Sequence, residues 1–316
     1  MLSISRIGSG LGCSVAYMSG AYIAMQLFPA KKIPIFIGLL EVAASFGTYL
    51  AAKPFYSELI KLGWHNANML VILFTAGLLI LSLVLLPMLN IDDSTNSDKT
   101  FKHILKDLLE FCKNKPLLGV FAYSFCTWAI GMSFGNVWAK NYLMREHYFS
   151  EIKALGLIQV YCLASLVFNI LPSLVARNLK QIKIMIKVCA FINFIVCIIV
   201  VIPPVFHHFN TTLLFTLLGI GTAGMTLSFA LIPELVPTSI LTTAMATNNA
   251  SVVFGGYVGS IIFGAMLGIH KVDLLLGRHI HGDPQYYLAS SIFLVFSVLS
   301  LIALCIATAT RKTRNN

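Results

Sequence analysis

Glu41 stands in the apolar run Pro34–Ile60, a carboxylate in a stretch with few other charges. It lies about eight residues beyond the turn that opens the run, which at 1.5 Å rise per residue is roughly 12 Å along a helix. With Gly38, Ser45, Thr48 and Ala52 it forms one helical stripe, a face that either lines a wet cavity or packs closely on a neighbouring helix. A charge near a bilayer centre costs several kcal/mol or more, so such a group marks a functional candidate. Glu41 is either a proton-coupling carboxyl or the centre of a structural hydrogen bond. A second cluster, Ser133, Asn136 and Lys140 with Trp128 and Trp138 nearby, shares a face in the run Pro116–Tyr142. Asn136 is the preferred solute contact there, and Trp138 and Lys140 have an alternative use as interface anchors. Gln159, Asn169, Asn248 and Asn249 are further polar residues inside apolar runs. Each either contacts a solute or joins helices by hydrogen bonds, the commoner use.

Other chemistry finds no footing. The sequence has no nucleophile–base pair, no phosphate-cradling glycine loop and no cluster of metal ligands, so neither an enzyme nor a cofactor is expected. His270, His279 and His281 recur near Asp273 and Asp283, but their irregular spacing reads as a solvated loop rather than a metal site. Cys126, Cys162, Cys189, Cys197 and Cys305 sit inside apolar runs without C-x-x-C spacing and read as reduced core filler.

The elements that hold these residues follow from composition. Hydrophobic residues make up 58% of the chain, charged ones 11%, and the mean hydropathy is +0.84. A soluble domain carries roughly a quarter charged residues. Lipid is therefore the solvent, and crossing its core takes roughly 20 apolar residues. Nine runs qualify: Arg6–Phe28, Pro34–Ile60, Asn66–Leu89, Pro116–Tyr142, Ile152–Ala176, Ile184–Val205, Thr211–Leu235, Leu241–Ile269 and Tyr286–Thr310. The fold class is an all-α polytopic bundle. The net charge of +10 lies mostly in short connections and has no aromatic-interleaved basic patch, which argues against a nucleic-acid partner. Lys31, Lys32, Lys99, Lys102, Lys106, Lys113, Lys115, Arg177, Lys180, Lys183, Lys187, Arg311, Lys312 and Arg314 fall on one side if the C-terminus is cytoplasmic. The positive-inside rule favours that orientation.

An internal repeat organises the runs. Phe28-Pro29 with Glu41, Phe46, Gly47 and Tyr49 aligns without gaps to Val236-Pro237 with Asn249, Phe254, Gly255 and Tyr257, at a constant offset of 208 residues. The matched runs are the second and the eighth, so the repeating unit is six helices, a recognised transporter arrangement. Nine runs then fall three short of two units, the shortage lying at the start. The expected domains are 1–89 with three helices, a cytoplasmic loop 90–115, and a six-helix bundle 116–316. Within the loop, Phe101, Ile104, Leu105, Leu108 and Leu109 oppose Lys102, Lys106, Glu110 and Lys113. That pattern predicts an amphipathic helix lying on the bundle or at the membrane surface. Gly255-x-x-x-Gly259 and Gly264-x-x-x-Gly268 predict close helix packing.

At this point the residues resemble a known family. Arg6-Ile7-Gly8-Ser9-Gly10-Leu11-Gly12 is similar to the R-x-x-x-G-x-G pattern in the fourth helix of major facilitator superfamily transporters. Phe28-Pro29-Ala30-Lys31-Lys32 resembles the family's turn between helices four and five, and Gly63-Trp64-His65 its opening of helix six. Ser228-Phe229-Ala230, Pro233-Glu234-Leu235 and Asn248 to Gly256 resemble helices ten and eleven. The likeness extends to nutrient-permease branches in intracellular proteobacteria. Two departures stand out. The gating motif G-x-x-x-D-R-x-G-R-R survives only as a remnant, with Ala176 in place of its Asp and with Arg177 and Lys180 retained. Ala51 and Ala52 replace the Gly-Pro of the antiporter pattern.

The resemblance implies alternating access about a midplane site, with an organic solute moved alongside a proton or ion. It places Arg6 at the central cavity, where snorkelling to the interface is the competing reading. It also implies a plasma-membrane (inner-membrane) location, a polar wall left open by the absent helices, and poor transport by the chain alone unless the start is misassigned or a separate chain supplies them. A non-transporting remnant or interaction subunit is the alternative. Solute and bilayer are the expected partners.

Overall fold

The computed structural model describes residues 8, 10, 12, 16, 19–24, 26–28, 33–88, 101–175, 178–202, 209–275 and 284–308. Every regular element among them is helical. After the helical positions before residue 28 come α1 (Ile33–Ala51), α2 (Lys53–Leu85), α3 (Phe101–Phe111) and α4 (Lys115–Ile130). A π-helical segment (Gly131–Trp138) joins α4 to α5 (Ala139–Glu146). The chain continues through α6 (Glu151–Val175), α7 (Leu179–Val201), α8 (Thr211–Thr222), α9 (Gly224–Ser228), a 3₁₀ turn (Phe229–Glu234), α10 (Thr238–Leu275) and α11 (Pro284–Thr308).

Asparagine starts three of these helices, because its side chain satisfies backbone N–H groups that have no partner inside the helix. Asn114 accepts from Leu117 N, Asn178 from Gln181 N, and Asn210 from both Thr212 N and Leu213 N. Asn114 also donates to the Leu235 carbonyl at 2.9 Å, tying the start of α4 to the end of the 3₁₀ turn. The helical path of α2 breaks at Gly63, whose φ of 76° suits only a residue without a Cβ.

Around α4 the packing closes into a ring. α10 and α11 lie against α4, α7 joins α11 to α8, α8 packs on α6, and α6 carries α1. Two apolar cores fill it. One is aromatic, built on Phe134, Tyr142, Phe215, Phe263 and Phe293; the other gathers Leu117, Tyr123, Ile186, Phe229 and Leu304. The α10 face at Gly255 and Gly259 meets α4 at backbone distance. A Cβ on Gly255 would collide with the Phe125 carbonyl, and one on Gly259 would sit 2.6 Å from Ser133 Oγ. Gly264 packs on the Trp138 ring, whereas Gly268 faces open space, so the second glycine pair is only half used.

Seven described helices are long and apolar enough to cross a membrane. The first, Gly38–Met88, covers most of both the second and third expected runs. Beyond Gly63 it stands clear of both cores: Trp64, Phe74 and Leu83 are 72%, 65% and 65% exposed, and Ala67 is the one buried residue of α2. A run apolar on every side has no stripe to select a neighbour. The amphipathic helix forms as α3, and of the two expected placements its apolar stripe does not take the one against the bundle. Asp107 and Phe111 are buried, Asp107 accepting from Thr243 Oγ1 at 3.5 Å and Phe111 packing on Phe121, while Ile104, Leu105, Leu108 and Leu109 point outward. Of the cysteines in apolar runs, Cys126, Cys162, Cys189 and Cys197 are buried thiols, and Cys305 is exposed.

Replacing Gly255 by Ala is expected to lower the thermal midpoint of the detergent-purified protein, by an overpacking cost of about 1–3 kcal/mol. That cost exceeds the roughly 0.5–1 kcal/mol that Ala gains over Gly in a helix. Gly268→Ala, where a methyl group meets nothing, leaves the midpoint unchanged or higher.

Candidate functional site

Three successive turns of α1 place Glu41, Ser45 and Thr48 along a cavity of about 940 Å³. The opposite wall is α10, which contributes Ala246, Asn249, Ala250, Val253, Phe254 and Tyr257. Glu41 and Asn249, the residues paired by the 208-residue repeat, thus line the same space. Glu41 is 8% exposed and engages a further polar interaction.

Asn136 reaches the cavity by way of the π-helical segment. The wider turn there breaks the α-helical register, so Ser133, Asn136 and Lys140 do not share one face. Ser133 is buried and donates to the Gly256 carbonyl of α10 at 3.3 Å. Lys140 pairs with Glu151 at 2.8 Å, and the Trp138 indole donates to the Ser260 carbonyl at 3.2 Å. Asn136 Nδ2 lies 3.9 Å from Met132 Sδ. Its Oδ1 is shielded from solvent and has no hydrogen-bond partner among the described residues. Tyr161 of α6 packs its ring on Gly135, where a Cβ would come within 2.8 Å of the ring. π-turns recur at functional sites because they re-aim a side chain in this way.

Asn169 joins two parts of the wall. Its Nδ2 donates to Ser45 Oγ of α1 at 3.3 Å, and its Oδ1 accepts from Thr226 Oγ1 of α9 at 2.9 Å. Asn248 is fully buried and turned from the cavity, donating to Ser228 Oγ at 3.4 Å. Ser228 also lies 2.7 Å from Ser124 Oγ. This network fastens α10 to α9 and α4. Gln159 is half-buried on α6 and is not part of the cavity lining. Lys180 is exposed at the start of α7; Arg6, Arg177, His279, His281 and Asp283 lie outside the described residues.

Two contributions carried no sequence signal. Tyr161 sits in an apolar run and looks like filler until Gly131 and Gly135 are seen to accommodate it. Tyr56 donates to Glu151 Oε2 at 2.6 Å, so Glu151 is held by both Tyr56 of α2 and Lys140 of α5. No periodicity could pair residues 95 apart in the chain.

Neither Lys, Arg nor His is among the described residues lining the cavity, and no nucleophile–base pair lines it. The arrangement can hold a solute by its polar groups, but among described residues it offers no bond-making machinery. The family model for the Major Facilitator Superfamily matches residues 1–260. The chain belongs to that superfamily. It is a multi-pass membrane protein of a transporter family, and the matched region holds all of the cavity lining. Among curated proteins, none matches the chain.

The Asn169–Ser45 bond is expected to give a coupling energy of about 0.6 kcal/mol in a double-mutant cycle of Asn169→Ala and Ser45→Ala. The measurement is reversible unfolding in mixed micelles. A coupling of zero would mean that the two side chains do not bond in the membrane.

Proposed function

We propose that this major facilitator is a secondary transporter that moves a small organic solute by alternating access, the solute resting in the cavity between α1, α4, α6 and α10. The observation that carries the reading is the pairing of Glu41 and Asn249 by the sequence repeat on opposite walls of one cavity. In repeat-built transporters the solute sits at the repeat interface, and rigid-body rocking exposes it to either side. The moving bodies are residues 1–89 and 116–316, with 90–115 as the connecting cytoplasmic loop. Few polar bonds join them among the described residues, and Tyr56–Glu151 and Ser45–Asn169 are of the kind that rocking breaks and re-forms. Glu41 is the proposed coupling carboxyl for a proton or other ion, since an acid at membrane depth is retained for such work. Asn136, Asn169 and Asn249 are the proposed solute contacts, making the chain a permease or symporter in operation. Its place is the inner (plasma) membrane, with the C-terminus in the cytoplasm, where the Lys/Arg-rich connections belong.

A second reading draws on α2. Its exposed apolar surface beyond Gly63 also suits an interaction subunit that docks through this helix without transporting anything.

Vesicles from cells expressing the chain are expected to accumulate at least one organic solute under an imposed ion gradient. Ala250→Trp, which fills the cavity, reduces that uptake at least tenfold at unchanged protein level. Absence of uptake combined with stoichiometric co-purification of a membrane partner would favour the subunit reading and sink the transporter. Orientation is tested separately. A green fluorescent protein fused after Asn316 fluoresces and an alkaline phosphatase fused there stays inactive; the reverse pattern places that end outside.

A further inference from the structure

α3 carries an apolar stripe that the bundle leaves uncovered. Ile104, Leu105, Leu108 and Leu109 all point outward, Leu109 being 64% exposed, and a contiguous apolar surface of this kind marks a place that a membrane or a partner covers. The height of α3 along the bundle follows from two contacts. Phe111 ends the helix and Lys115 opens the spanning helix Lys115–Arg145 four residues later, a link that reaches no farther than about 14 Å even when extended. Asp107 accepts from Thr243, which lies four residues into the span Ser239–Gly268, roughly 6 Å along its axis. α3 therefore lies beside the starts of two spanning helices, at the level of the headgroup layer, which is about 5–8 Å deep on each side of the hydrocarbon.

The polar border of α3 has a sign. Lys106, Lys113 and Lys115 are exposed and form no ion pair among the described residues, and Glu110 is the one exposed carboxylate beside them. At 100° per residue Lys113 and Lys106 stand about 40° and 60° beyond Leu109, so their ammonium groups border the stripe on the side away from Asp107 and Phe111. Helices with an apolar face and a basic border lie in the interface plane, their lysine stems running along apolar surface to reach the headgroups. Anionic headgroups meet both the stripe and its border.

We propose that α3 is an interfacial helix that binds anionic phospholipid. Ile104, Leu105, Leu108 and Leu109 enter the boundary between headgroups and acyl chains, Lys106 and Lys113 pair with headgroup phosphates, and Asp107 and Phe111 hold the helix to the bundle from the other side. It does so whether or not the chain moves a solute. Each lysine beside an anionic surface favours the bound state roughly fivefold, an attraction that fades within about 8 Å at physiological salt.

The test places a nitroxide at position 109 or 110 of the full chain, reconstituted in vesicles. Leu109→Cys and Glu110→Cys are made separately after Cys13→Ser, Cys112→Ser and Cys305→Ser; the thiols of Cys126, Cys162, Cys189 and Cys197 are buried. In vesicles containing phosphatidylglycerol, the label at 109 is expected to collide more with oxygen, which concentrates in lipid, than with a water-soluble nickel chelate. The label at 110 shows the reverse. Phosphatidylcholine alone, or Lys106→Gln combined with Lys113→Gln, lowers the oxygen-to-nickel ratio at 109 by about twofold or more. Salt at about 1 M, where the Debye length is about 3 Å, does the same with the lysines intact, so the result does not hang on the variants. A label at 109 as open to nickel as the one at 110 puts the stripe in water and overturns the proposal. Protection of 109 from both reagents means that a protein covers the stripe, and overturns it equally. An oxygen preference indifferent to headgroup charge, lysines and salt removes the anionic lipid, and the proposal falls with it.

Discussion

Hydrocarbon offers no hydrogen bonds, and the structure answers that constraint at each level. Backbone groups find partners inside helices because no other spanning conformation satisfies them along a single segment. Side-chain hydroxyls bond back to carbonyls one turn earlier, as Thr48 does to Ala44, Ser290 to Tyr286 and Thr308 to Leu304. Polar groups that cannot close on their own helix are placed against another one. The Ser124–Ser228–Asn248 network and the Asn169 bridge are the main cases near the cavity. Glu41 and Asn136 stand where this packing leaves an open volume of about 940 Å³.

Close packing does the rest of the positioning. Gly255 and Gly259 bring α10 against the backbone of α4, which holds these two cavity-lining helices together. Gly131 and Gly135 let Tyr161 lie flat on the π-helical segment. Dispersion is the main attraction between helices that have apolar lipid as their alternative neighbour, so small residues at the seam decide which faces meet. Beyond Gly63, where α2 has no such seam, its large apolar side chains stand exposed.

Much of this was legible beforehand, for identifiable reasons. Apolar runs of membrane length fixed the helices, because crossing length is a property of the bilayer and each run carries it alone. The repeat singled out Glu41 and Asn249 without any coordinates. The stripe Glu41, Ser45 and Thr48 followed from helical periodicity, which holds along α1. The same periodicity failed for Ser133, Asn136 and Lys140, since a π-turn between them changes the angle per residue and nothing in Gly131–Trp138 announces it. For α3 periodicity gave the apolar stripe, and only the packing showed that the bundle takes hold of Asp107 and Phe111 while the stripe stays exposed.

The amino-acid sequence by itself determined the solvent, the helical class, the superfamily and the rarity of charge at membrane depth, because each depends on residue types counted along the chain. Tertiary structure alone decided which polar residues share a cavity and which fasten helices together. Asn136 and Asn248 look alike as polar residues in apolar runs. Asn136 lies on the cavity wall, whereas Asn248 is fully buried and donates to Ser228, and that difference arises from how the helices pack.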